Sequence, residues 1–215
     1  MKNIYIISGL GADKSVFSRL DFGENNIVFI DWIPVKENEP IIKYAQRLLA
    51  QITTPNPILI GLSFGGIMAV EIAKLIPVEK LILISSAKTK YEIPFSYRLL
   101  GKLKLNKILP VKLFFATNQL TYFIFGVKEK RDQAILSANI KNTNIVFFRW
   151  AINQILNWEN TENEFPIFHL HGNKDYILPF SKIKNAVEII GGGHLMVLTH
   201  PAEVSTALIG NISAQ

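Results

Sequence analysis

Residues 58–66 read Ile-Leu-Ile-Gly-Leu-Ser-Phe-Gly-Gly, with Gly61-x-Ser63-x-Gly65 at their centre. A serine hydroxyl is a weak nucleophile until a neighbouring base takes its proton. The spacing matters because it can present that hydroxyl to a base. Glycines two positions to either side suit a sharp strand-to-helix turn, where backbone segments nearly touch and the serine adopts strained angles. The flanks agree. Pro57-Ile58-Leu59-Ile60 is an apolar lead-in, and Ile67 to Leu75 leaves with helical spacing. A glycine-rich turn with an idle serine would read the same locally, so the rest of the chain decides.

A serine needs a base, and the base needs an orienting acid. Of the four histidines, His194 follows Gly191-Gly192-Gly193 after a short β-rich run. Three glycines make a shaped loop there and argue against a packed core position. His169 and His171 stand at the end of an apolar strand, and His200 lies beside Pro201 in the final helical approach. For the acid, Asp175 in His171-Gly172-Asn173-Lys174-Asp175 directly follows that strand. Asp13, Asp21 and Asp31 precede the serine, and Asp132 falls among helices. Ser85-Ser86-Ala87 offers no carboxylate. The candidate set is then Ser63, Asp175 and His194 in chain order, unlike the two common protease orders.

Positioning these groups takes a sheet. Ile4–Ser8, Asn26–Asp31, Ile58–Leu62, Leu81–Ser85, Phe165–Leu170 and Ala186–Ile190 read as short strands, and Ile41–Ile52 has helical spacing. Apolar strands without alternation, separated by helices, predict a parallel sheet covered on both faces, an α/β fold. The rhythm breaks once. Between the fourth and fifth strands about 80 residues hold no convincing strand, and so long a connection reads as an added helical element. Pro94, Gly101, Pro110 and Gly126 punctuate helices there. Residues 145–158 look like a helix returning to the sheet, with Trp150 and Trp158 as packing residues.

A chain of 215 residues suits one domain with an insertion. It has no cysteine, which excludes disulfides and thiolate metal sites. The apolar stretch near Met1 is too short for a signal peptide, and no run approaches a membrane span, so a soluble cytoplasmic protein is expected. The net charge of +6 is unevenly spread: residues 88–131 hold ten basic residues and two acids, or +8, leaving −2 elsewhere. Gly9-x-Gly11 opens like a dinucleotide fingerprint, but Lys14 occupies the third glycine position. With no phosphate loop, His-Glu-x-x-His or metal-spaced cluster, neither cofactor nor metal is expected.

Gly61-x-Ser63-x-Gly65-Gly66, Gly172-x-x-Asp175, and Gly193-His194 followed by Pro201-Ala202-Glu203-Val204 span most of the chain. Together they resemble the α/β-hydrolase fold superfamily. The resemblance implies a three-layer α/β/α sandwich around a six-stranded, mostly or wholly parallel sheet, without the family's N-terminal hairpin. Residues 1–87 and 146–215 would form the core, and 88–145 a helical lid. It implies a serine esterase, a carboxylesterase or thioesterase acting on small or medium acyl groups, with Ser63, Asp175 and His194 catalytic. The oxyanion donors would be the backbone N–H groups of Phe64 and Leu10. The family's usual His-Gly-x reads Ser8-Gly9-Leu10 here, which keeps backbone donation but alters the loop. The fold also hosts lyases, haloperoxidase-like enzymes and ligand-binding receptors, which stand as the alternative.

The insertion interleaves lysines with large apolar residues: Leu99-Leu100, Leu103, Leu105, Ile108-Leu109, Leu113-Phe114-Phe115 and Leu120 to Phe125. Either its cations form a solvated lid face, or they receive an anionic partner. An acyl-carrier protein, a CoA thioester or an acidic membrane surface would fit; nucleic acid is not expected.

Overall fold

Side chains that are apolar at every strand position need cover on both faces of the sheet. The computed structural model describes residues 1–105 and 116–214. Strands β1 (Asn3–Ile7), β2 (Asn26–Ile30), β3 (Ile58–Leu62), β4 (Lys80–Ile84), β5 (Ile167–Gly172) and β6 (Val187–Ile189) pair in parallel throughout. Their spatial order is β2-β1-β3-β4-β5-β6. The chain therefore turns one way from β1 and the other way into β3. The crevice beyond the carboxyl ends of those two strands is a topological switch point, the usual ligand position in open parallel sheets.

Alternate residues of each strand serve opposite layers. Tyr5, Ile7, Leu59, Leu81 and Leu83 pack with α1 (Ile41–Leu48), α2 (Phe64–Ala73) and α6 (Ile145–Leu156). Ile4, Ile6, Ile58, Ile60, Ile82 and Ile84 pack with α5 (Lys130–Asn142), α7 (Met196–Thr199) and α8 (Pro201–Ser213). This is the expected three-layer sandwich with a wholly parallel sheet of six strands.

Strand five is displaced from its expected bounds. It begins at Ile167, because Pro166 has no N–H for the ladder, and runs on through His169 and His171. His169 is thus inside the strand and His171 one residue from its end, and both are buried. The helix expected over Ile41–Ile52 ends at Leu48 and tightens into a 3₁₀ turn at Leu49–Gln51.

Between β4 and β5 run α3 (Phe95–Lys102), α4 (Gln119–Phe125), α5 and α6. Pro94 precedes α3, and the Asn118 side chain accepts from Thr121 N–H to cap α4. Gly126, at φ 73°, ends α4 in the left-handed conformation that favours glycine. Gly101 is no punctuation. It lies inside α3, where a Cβ would meet the Leu156 carbonyl of α6 at 2.7 Å. Pro110, with Ile108-Leu109 and Leu113 to Phe115, lies outside the described residues. Trp150 and Trp158 do pack, their Nε1 groups donating to the Glu39 carbonyl and the Glu71 carboxylate. Among the described residues no helix is long and apolar enough to cross a membrane.

Candidate active site

At the end of β3 the chain must reverse into α2 within one residue. Ser63 makes that turn at φ 52°, ψ −121°, a backbone position that L side chains rarely adopt. The neighbours leave no alternative to glycine. A Cβ on Gly65 would lie 2.2 Å from the Ile7 carbonyl oxygen, and one on Gly61 2.4 Å from the Gly66 Cα. Ser63 N–H donates to the Ile84 carbonyl at 2.9 Å, and Ser86 Oγ donates to the Ser63 carbonyl at 2.6 Å. The strained serine is held from both sides.

The Ser63 hydroxyl meets His194 Nε2 at 2.8 Å, across 131 residues of sequence. His194 Nδ1 lies 2.8 Å from Asp175 Oδ2. A carboxylate only accepts, so Nδ1 carries the hydrogen and Nε2 is left to take one from Ser63. All three sequence-expected residues therefore meet at the carboxyl ends of β3, β5 and β6. His194 and Asp175 are buried, whereas Ser63 keeps partial access to solvent.

Asp175 is the most heavily restrained of the three. Its Oδ1 accepts from Ile177 and Leu178 N–H at 2.8 and 2.9 Å, and its Oδ2 faces His194. Burial opposes its ionisation. The charge of His194 and the hydrogen bonds from His171 and His194 outweigh that penalty and hold the carboxyl well below its ordinary value. The carboxylate is thus charged wherever a histidine could act as base.

Sequence reasoning assigned no role to His171 or Ser86. His171 Nε2 donates to the Leu178 carbonyl at 2.7 Å and lies 3.3 Å from Asp175 Oδ2. Its Nδ1 sits 3.3 Å from His169 Nε2. Burial, followed by the His171 and Lys88 charges, holds His169 well below its ordinary pKa, so it stays neutral. A histidine four residues before an acid, across a glycine turn, was the available signal for this brace. Nothing in the sequence marked Ser86.

The Ser8-Gly9-Leu10 loop passes beside the serine: a Cβ on Gly9 would lie 3.3 Å from Ser63 Cβ. Among the described residues, the Leu10 and Phe64 N–H groups donate to no protein acceptor. Both residues line the cavity that contains Ser63 and His194, which has a volume of about 420 Å³. Tyr97 and Leu100 of α3, Ile124 and Phe125 of α4, and Ile152 and Ile155 of α6 contribute to its apolar wall. Burial, with the Asp175 charge adding to it, pushes the Tyr97 hydroxyl above its ordinary pKa, so it remains a neutral donor. No group of three or more histidines, cysteines or carboxylates able to hold a metal occurs among the described residues.

No protein-family model and no curated protein matches the sequence. Solved structures do resemble it. A hydrolase from Oleispira antarctica aligns over 100% of this chain and 92% of its own, at 13% identity and TM-score 0.71. A thermophilic esterase from Thermogutta terrifontis covers 99% and 89%, at 16% identity and TM-score 0.67. A bromoperoxidase from Bacillus anthracis covers 99% and 92%, also at 16% identity and TM-score 0.67. Likenesses at such identity speak to architecture alone, and they agree with the parallel six-stranded sheet and its flanking helices. This chain has the α/β-hydrolase fold.

Proposed function

We propose that the protein is a serine hydrolase that cleaves small or medium acyl esters through an acyl-enzyme on Ser63. The observation that carries this reading is the unbroken chain Ser63–His194–Asp175, each link 2.8 Å, opening into an apolar cavity. His194 Nε2 takes the serine proton as Oγ attacks the acyl carbon. Asp175 holds the imidazole in the tautomer this requires and stabilises its positive form. The Leu10 and Phe64 N–H groups stabilise the oxyanion that forms. His194 returns the proton to the leaving alkoxide, and water repeats the attack to release the acid. The α3 and α4 helices act as a lid, and the apolar side chains they turn to the cavity receive the acyl chain. Esterases and hydrolases among the similar folds are consistent with this chemistry.

The test is turnover of p-nitrophenyl butyrate. Ser63→Ala should lower kcat by about 10⁴- to 10⁶-fold. A fluorophosphonate probe should label the wild type and leave Ser63→Ala unlabelled. Equal turnover by the two proteins would sink the assignment.

A further inference from the structure

Helix α3 is apolar on two sides. Tyr97 and Leu100 point into the cavity, yet Phe95, Leu99 and Leu103, one turn apart on the helix, are 68, 41 and 58% exposed. Tyr91 extends the stripe at 59% exposure. Cations border it. The Arg98 guanidinium lies 5.9 and 5.7 Å from the ring centres of Tyr91 and Phe95, and Lys102 and Lys104 are exposed at the helix end. Lys90 lies 5.7 Å from the Tyr91 ring and pairs with Glu159, the acid that also feels Lys102 and Arg98. Glu92 nearby is buried and accepts from Lys88 N–H, while Glu162 and Glu164 follow Glu159 as exposed acids in the loop whose Asn160 and Asn163 side chains donate to the Lys88 carbonyl.

We infer that this outer face of α3 docks on an anionic lipid surface. The inference deepens the reading of a lidded acyl hydrolase, because the same helix lines the cavity and would bring its mouth to the bilayer. A row of protruding apolar side chains rimmed by cations is the form of an interfacial helix, which buries its apolar side at the headgroup boundary. A lipid surface accepts a convex ridge without a complementary pocket. A symmetric pairing of two copies would instead gather the Arg98, Lys102 and Lys104 cations of both into one interface. Charge complementarity therefore selects the anionic surface.

The experiment is co-sedimentation of the full chain with vesicles of phosphatidylcholine alone or mixed with phosphatidylglycerol, at low and high salt. Ser63→Ala protein is run in parallel, so that binding is read independently of hydrolysis. Binding should require phosphatidylglycerol and weaken with salt. Lys102→Gln/Lys104→Gln should reduce partitioning by about 30-fold, at roughly fivefold per cation. Phe95→Ser/Leu99→Ser should reduce it by about tenfold or more, with p-nitrophenyl butyrate turnover and circular dichroism retained as the check on folding. Unchanged vesicle binding in both variants, or binding indifferent to lipid charge, overturns the proposal. So does a solution dimer that Phe95→Ser/Leu99→Ser converts to monomer, since the face would then be a self-interface. Binding to an acidic acyl-carrier protein without binding to anionic vesicles overturns it too.

Discussion

Helices α2 and α3 both present apolar residues to the cavity, yet they stand in opposite surroundings. Every residue of α2 from Phe64 to Ile72 is buried, whereas in α3 only Gly101 is. The first is wedged between the sheet and α1 and α6, where backbone meets backbone at the elbow. The second touches α6 along one side and carries bulky side chains to solvent on the other. The difference separates two tasks. Groups that meet within 2.8 Å sit where neighbours permit a single geometry, and the part of the cavity wall supplied by α3 sits where side chains can change with little effect on the fold.

The comparison can be broken most forcefully at Gly65. Its missing Cβ leaves room for the Ile7 and Ser8 carbonyl oxygens, which would lie 2.2 and 2.3 Å from an added methyl. Gly65→Ala should cost about 4 kcal/mol or more in urea unfolding, or leave no folded protein. Ser96→Ala on the exposed side of α3 should stay within about 0.5 kcal/mol. Similar losses at the two sites would remove the distinction between an over-determined elbow and a tolerant α3.

A smaller effect is expected on the cavity side of α3. Leu100→Trp fills part of the space of about 420 Å³. Turnover of p-nitrophenyl butyrate should survive, while discrimination against the dodecanoate ester rises about 10- to 100-fold. An unaltered chain-length profile would show that α3 does not line the acyl path.

The smallest effect lies within β5. His169 is held neutral, well below its ordinary value of 6.5, so an unfolded chain would take up a proton that the folded one refuses. Stability must then fall as pH drops through 6.5, and the loss attributable to His169 should be about 1 kcal/mol between about pH 7.5 and 5.5. His169→Phe should remove that share of the slope, as read by urea unfolding at the two pH values. An unchanged slope would mean that the buried histidines do not contribute to acid sensitivity.

Much of the site was legible because it is written in local backbone constraints. A serine between close-packed glycines can hardly be anything but a tight turn. A glycine run before His194 marks a loop, and an acid one turn after an apolar strand marks its carboxyl end. The parallel sheet followed from uninterrupted apolar strands for the same kind of reason. Strand five was misplaced by two residues because hydrophobicity continues through Phe165 while the hydrogen-bond ladder waits for Pro166 to pass. The His171 brace on Asp175 was missed because its meaning depends on where Nε2 points, between the Leu178 carbonyl and a carboxylate.

The amino-acid sequence alone determined the fold class, the turn that lifts Ser63 and the chain order of its two candidate partners, since each follows from residue type and short-range spacing. It also showed that basic and apolar residues are mixed between β4 and β5. Only the tertiary structure decided that groups 131 residues apart meet at 2.8 Å, because that distance is set by sheet register and the close approach of three loops. It alone separated the α3 side chains that line the cavity from those that face outward. A helix with apolar residues on both sides has no periodic signal to say which side its neighbours will cover.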